Sequence, residues 1–399
     1  MTIPVPVEPS STAPLQAKPS RTHLSVVSSP RPYLTDLASV PASAWRELHE
    51  RAIEPNAYYD PMWAVLVAKH ATGRGGAMAL LAWDRNRLIG LMPVRWARRA
   101  LSLPVPLLVS WNAYAPLSAP LLDRECAADA ARLLIEAAKA AGARALYMQT
   151  VTTDGAAFAA MRSAFDRHGI TAEPIRRFRR AGLDASQDPS EVLRDALSSK
   201  KLKELRRQRH RLEDTGTVRF EVATTPEQIG PALEAFLALE ATGWKAARGT
   251  ALIQDAGDAA FIRDAAPALA SRGHLEIASL TRNGETLASG LILRDRGHAF
   301  FFKIAMNETE ARSSPGVQLT LDLTKHFCAD PDIVFADSTA DGNHPMIDHV
   351  WRQRIEMADI FVALKPHDLF AAAIRAVVNA RLSAIDIVRT LRRIKETLS

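Results

Sequence analysis

From residue 33 onward, apolar and polar positions fall into two rhythms. Apolar runs of strand length, alternating or continuous and bounded by turn residues, lie at 77–83, 88–96, 145–150, 218–223, 274–280, 286–294, 298–305, 332–337 and 357–364. Helical spacing occupies most of the intervals, at 43–52, from 58–63 through 70, and at 126–141, 155–168, 193–212, 226–243 and 258–272. It returns at 345–354 and 369–398. Short polar links at 84–87, 282–285 and 294–297 turn neighbouring strands into hairpins. The pattern predicts an α+β (α/β) chain of mainly antiparallel sheet flanked by helices.

Residues 1–32, rich in Pro, Ser, Thr and Ala and without periodicity, read as a disordered lead-in. Ser186, Gln187, Asp188 and Pro189 mark a boundary, giving a first domain over 33–185, a second over 190–365 and an amphipathic C-terminal helix over 366–399. Two domains are the natural division for 399 residues of which 47% are apolar. Cys126 and Cys328 lie far apart and form no metal-ligand spacing, so no metal site is expected and a reducing cytoplasm fits. No apolar run reaches the roughly 20 residues of a membrane-spanning helix. Fifty Lys and Arg against 44 Asp and Glu leave +6, compatible with phosphorylated ligands but too small and dispersed to argue for nucleic acid. The charge concentrates at 193–212, where Leu202, Leu205, His210 and Leu212 give a thin apolar stripe. That segment is either a solvated helix crossing between domains or an attractor of acidic, phosphate-bearing substrate.

The most informative junction follows the aromatic strand at 298–305. Arg312, Ser313, Ser314, Pro315 and Gly316 precede the apolar positions Val317, Leu319, Leu321 and Leu323, so the order is strand and then helix start. Ser313 or Ser314 can cap the helix, Pro315 suits its first turn, and Gly316 lets backbone approach a ligand closely. The amides of Gly316, Val317 and Gln318 would then offer an anion such as a pyrophosphate the positive end of the helix dipole. Lys303, on an otherwise aromatic strand, must reach solvent or a carboxylate, for instance by a salt bridge to Asp337. Trp244 and Trp351 suit either a stacking wall or the core.

In sequence, the second half reads strand, two helices, three antiparallel strands, a Ser-Pro-Gly helix, a strand, a helix and a strand. This order resembles the GNAT acyltransferase superfamily. More narrowly, the segments 236–245, 303–305, 311–316 and 337–342 resemble the duplicated-GNAT family called CelD-like or cellulose-biosynthesis acetyltransferase, which is similar to the Fem-type aminoacyl transferases. The first half resembles that family's degenerate partner domain through 58–63 and 88–94. The resemblance covers about 34–364 and departs from the usual GNAT loop in having one glycine where many members have two.

The resemblance implies two tandem GNAT-like domains and a cytoplasmic transferase that uses acetyl-CoA or another acyl-CoA. The acceptor would be a small or carbohydrate molecule in the cleft between domains, with polysaccharide or envelope precursors leading. It implies a donor site made by Ile304, Ala305, Ser314, Gly316, Val317 and Gln318, with the amides near Ile304 and Ala305 polarising the thioester beside a splayed strand. For the chemistry, Glu240, Asp337 and Lys303 are the candidates, with His344 a further base, and Trp244, Lys245, Asp341 and His344 are candidate substrate contacts. Each has a plain structural alternative: Glu240 pairing with Lys245, Asp337 capping its loop, His344 opening a helix. Two rival functions stand beside this one, aminoacyl transfer from tRNA as in the Fem-type relatives, and a non-catalytic scaffold.

Overall fold

The computed structural model describes residues 33–398, except 72, 74, 101, 102 and 343. The proposed disordered lead-in, 1–32, lies outside the described residues. In chain order the first half runs β1 (Leu34–Asp36), α1 (Ala42–Arg51), α2 (Pro61–His70), β2 (Met78–Asp84), β3 (Arg87–Ala100), β4 (Leu103–Ser110), β5 (Leu121–Leu122), α3 (Ala127–Ala140), β6 (Ala145–Thr152), α4 (Ala156–Arg167) and β7 (Ala172–Asp184). Two connecting helices follow, α5 (Pro189–Ala196) and α6 (Ser199–Asp214). The second half runs β8 (Val218–Ala223), α7 (Pro226–Glu240), α8 (Trp244–Ala247), α9 (Ala256–Ala270), β9 (Leu275–Arg282), β10 (Glu285–Asp295), β11 (His298–Met306), α10 (Pro315–Ala329), β12 (Phe335–Asp337) and β13 (Gln353–Ala363), before the tail helix α11 (Leu369–Leu398).

Among the described residues the strands join one mixed sheet, ordered β1-β2-β3-β4-β6-β13-β7-β12-β11-β10-β9-β8, with β5 beside β3. The two halves repeat one plan. Each has an antiparallel meander ending in a parallel pair, β4 with β6 and β11 with β12, and each parallel pair is held over three residues. Closing strands are exchanged: β7, from the first half, lies against β12, and β13, from the second, lies against β6. The exchanged strands then pair with each other from Gln353 opposite Gly182 to Val362 opposite Ala172. First-half side chains therefore stand next to β12.

Three local outcomes differ from the periodicity. The basic run at 193–212 is not one helix, because Leu197 is extended and Ser198 caps a new helix by accepting from the Lys201 N–H (3.2 Å). The arginine-rich 176–180 segment, unassigned by pattern, is the middle of β7, where arginines meet carboxylates across the sheet, as Arg176 does Asp359 (3.0 Å) and Arg179 does Glu356 (2.6 Å). The helix expected at 345–354 is a series of turns followed by the start of β13. Its helix-like spacing comes from Ile347, Val350 and Trp351 entering the core, and the Trp351 indole N–H donates to Thr324 Oγ1 (2.9 Å).

The sheet carries a core on each face. Phe300 packs with Tyr58 and the α7 and α9 side, while its neighbour Phe301 points the other way, toward Phe327 and Trp351.

Candidate active site

The pairing of β11 with β12 ends where β12 ends, at Phe300 opposite Asp337. Thr339 Oγ1 still donates to the Phe301 carbonyl (2.6 Å), after which the chain leaves β11, while β11 stays paired with β10 as far as Met306. The open stretch of β11, residues 303–306, is flanked by two cavities of about 250 and 270 Å³. Ile304, Lys245, His344 and Met346 line both, so the cavities are two bays of one cleft.

A buried charge cluster closes the cleft. Glu240, the last residue of α7, is 2% exposed, and its carboxylate accepts from Lys303 Nζ (2.9 Å), Lys245 Nζ (3.3 Å) and the Leu252 N–H (2.8 Å). Lys245 also donates to the Ile304 carbonyl (2.5 Å). The bridge expected between Lys303 and Asp337 is replaced by the one to Glu240, and the cause is a register shift. Between Leu291 and Ile292 the β10–β11 pairing skips Phe302, which turns Lys303 toward α7. Burial pushes Lys245 below the ordinary lysine value, and the neighbouring Lys303 adds to the effect against the pull of Glu240.

Asp337 lies at the closed end of the fork, 4% exposed, where it pairs with the buried Arg180 of β7 and accepts from the Thr339 N–H (2.8 Å). Arg180 is there because of the strand exchange, which sets Gly182 opposite Asp337. Asp337 also raises the Tyr58 hydroxyl, after the larger effect of burial. It lines a further cavity of about 320 Å³ reaching His298 and Glu54 on the far side of the fork. Asp337 is thus separated from the Glu240 cluster, with the fork between them.

His344 sits half-buried over the cleft, and burial lowers its pKa below the ordinary histidine value. Its loop lies flat on β7: a Cβ on Gly342 would stand 2.5 Å from the Arg179 carbonyl oxygen, so only glycine fits there unshifted. Asp341 is exposed on the same loop, and Trp244 opens α8.

At the start of α10, Ser314 takes a left-handed conformation (φ 51°) and makes no side-chain cap, while Pro315 occupies the first turn. The Gln318 N–H is bonded to the Ser314 carbonyl (3.0 Å), so the orphan amides of this turn are those of Gly316 and Val317. The Gln318 side chain faces inward and donates to the Leu205 carbonyl (2.9 Å). Gly316 is buried, and a Cβ there would lie 2.9 Å from Met306 Sδ and 3.0 Å from Met346 Sδ. Glu308 lines the adjoining bay. Arg180, Met306, Met346 and Glu308 were not singled out as site residues by the sequence. Their placement depends on strand exchange and on the turn before α10, neither of which has a local signature.

Residues 199–336 match the family described as Acetyltransferase (GNAT) domain. No curated protein sequence matches. Among solved structures, the C-terminal domain of a putative lysylphosphatidylglycerol synthetase from Agrobacterium fabrum shares 15% identity over 84% of this chain and 95% of that one, with a TM-score of 0.53. A structure of FemX shares 10% over 83% and 96%, with a TM-score of 0.52. A conserved protein of unknown function from Bacteroides thetaiotaomicron shares 13% over 83% and 99%, with a TM-score of 0.50. These likenesses concern the fold. The domain match and the forked sheet give the class, an acyltransferase with a GNAT-type domain. The match is to the general domain and goes no further toward the narrower cellulose-biosynthesis family. Among the described residues no helix is long and apolar enough to cross a membrane, and no group of acidic, histidine and cysteine side chains is arranged to hold a metal.

Proposed function

We propose that this enzyme transfers an acyl group from coenzyme A to an amine or hydroxyl acceptor, with the donor lying along the open stretch of β11. The observation that carries the reading is the fork itself. The β11–β12 pairing stops after three residues, beside a cleft and ahead of a helix with two orphan amides. The pantetheine would run past Ile304 and Ala305, with its thioester oxygen met by strand amides and its phosphates at Gly316 and Val317. The acceptor nitrogen or oxygen attacks the thioester carbon, the C–S bond breaks, and CoA leaves as a thiolate that takes up a proton. Glu240 and Asp337 are engaged by ion pairs, so His344 is assigned as the base that takes the acceptor's proton. Glu240 and Lys303 become positioning residues for Lys245 and the Ile304 carbonyl.

With a histidine whose pKa is lowered, the active neutral form persists to lower pH. The acidic limb of the kcat/KM profile should therefore fall below the ordinary histidine range near ~6.5. His344→Gln should lower kcat and abolish that limb, and a variant that keeps the limb would remove His344 from this role.

The donor is tested by calorimetry of the full chain with acetyl-CoA and longer acyl-CoAs. Micromolar binding is expected, and no heat with any of them would sink the reading. A second reading, an aminoacyl donor as in Fem-type transferases, is favoured by the packing of Met306 and Met346 around Gly316 and by the Glu308 carboxylate in the adjoining bay. Binding of aminoacyl-tRNA with silence toward every acyl-CoA would establish it instead. A carbohydrate or cell-envelope precursor as acceptor rests on the family resemblance alone.

A further inference from the structure

Helix α6 is far more basic than its neighbours require. Its core face is set by the buried Leu205 and Leu212. At 3.6 residues per turn, the opposite arc of about 140° carries Arg206, His210, Lys203, Arg207, Lys200 and Arg211, all exposed, and a carboxylate enters it only at Asp214, the last residue of the helix. Glu204, at the margin of the arc, is taken up by Arg207 (2.7 Å). Lys200, Lys203, Arg206 and Arg211 make no ion pair or hydrogen bond with any described residue. From Lys200 to Arg211 this charge spreads along roughly 17 Å, and so dense a row of cations repels itself until an anionic surface meets it.

Next to that row opens a cavity of about 490 Å³. Leu202, Leu205 and Leu321 supply apolar wall, and Arg194, Arg206 and Lys325 stand around it. Its two carboxylates are already held, Glu213 by Arg209 (3.1 Å) and Asp322 by Arg209 (2.8 Å) and Lys325 (3.1 Å). Apolar wall with a cationic rim matches a phosphate joined to alkyl chain. No Phe, Tyr or Trp lines the cavity or occurs between residues 186 and 217, so the surface lacks the large aromatic platforms on which single-stranded nucleic acid stacks.

We propose that α6 and the cavity beside it form a docking surface for an anionic phospholipid bilayer. The row of cations lies on the headgroup plane, and the cavity receives the phosphate and upper chain of one lipid. Because α6 packs against the 308–313 turn that precedes α10, docking would hold the cleft close to the membrane.

The test is co-sedimentation of the full chain with vesicles of phosphatidylglycerol in phosphatidylcholine, against phosphatidylcholine alone. Binding is expected to the anionic vesicles only and to weaken with salt. At roughly fivefold per basic residue, the Lys200→Gln, Lys203→Gln, Arg211→Gln triple variant should lose on the order of 100-fold in partition. A matched variant that removes the exposed charges of Arg46, Lys69 and Arg162 should lose far less, which separates placement from net charge. Equal binding to both vesicle types, or equal loss in the two variants, overturns the proposal. Complete displacement from vesicles by stoichiometric tRNA reassigns the surface to nucleic acid and overturns it as well.

Discussion

Glu240→Ala should cost about 3–5 kcal/mol of stability in urea unfolding, the scale seen when one partner of a buried ion pair is removed. The carboxylate is fully enclosed, and two ammonium groups and an amide converge on its oxygens. Its removal takes from Lys245 and Lys303, respectively 16% and 15% exposed, the carboxylate they share, and strands the Leu252 N–H. Glu240→Gln keeps the shape and should cost less. If the lysines' desolvation is the source of the loss, Lys303→Met should be far less harmful when combined with Glu240→Gln than alone, with a coupling of roughly 1–3 kcal/mol in the double-mutant cycle. A Glu240→Ala protein within about 1 kcal/mol of the parent would mean that water reaches this corner freely. The cleft would then lack the dry wall that a polarised thioester requires.

The cluster also shows which part of the site the sequence could reveal. Glu240, Lys245 and Lys303 were each conspicuous as charged residues among apolar ones, and pairing of Glu240 with Lys245 was readable because five residues separate them at a helix end. The partner of Lys303 was not readable. Choosing Glu240 over Asp337 depends on the skipped Phe302, and a bulge one residue long leaves the apolar pattern of β10 and β11 intact. The meander β9-β10-β11 and the α10 start were legible for the opposite reason, since period-two runs, tight polar turns and a Ser-Pro-Gly start all act within a few residues. β7 was hidden because its middle holds four arginines, Arg176, Arg177, Arg179 and Arg180, around Phe178, and the stabilising carboxylates Glu356, Asp359 and Asp337 come from strands far along the chain. The reciprocal exchange of β7 and β13 has no sequence signal of its own, yet it puts Arg180 beside Asp337 and thereby decides that this aspartate is ion-paired.

Gly316→Asp should separate binding from folding. The new Cβ crowds the thioether ends of Met306 and Met346, which are flexible, and touches Ile304 Cδ1 at an ordinary 3.7 Å, while a carboxylate in the first turn of α10 interacts favourably with the helix dipole. Desolvation of the carboxylate at this buried position outweighs that gain, so urea unfolding should show a loss on the order of 1–3 kcal/mol in a protein that still folds. The same carboxylate occupies the place proposed for the donor's phosphates and adds to the negative charge of Glu308 nearby. Affinity for acyl-CoA should accordingly fall by at least ~100-fold, since the site loses its orphan amides to an internal anion and gains repulsion toward the ligand's own charge. Gly316→Ala supplies the control, filling the same space without charge, and should weaken binding only modestly. The two variants thus divide the effect into shape and electrostatics. Calorimetry in which Gly316→Asp binds acyl-CoA as the parent does would place the phosphates elsewhere. The open stretch of β11 would then hold a donor whose anionic end does not reach α10, which is the arrangement an aminoacyl donor would need.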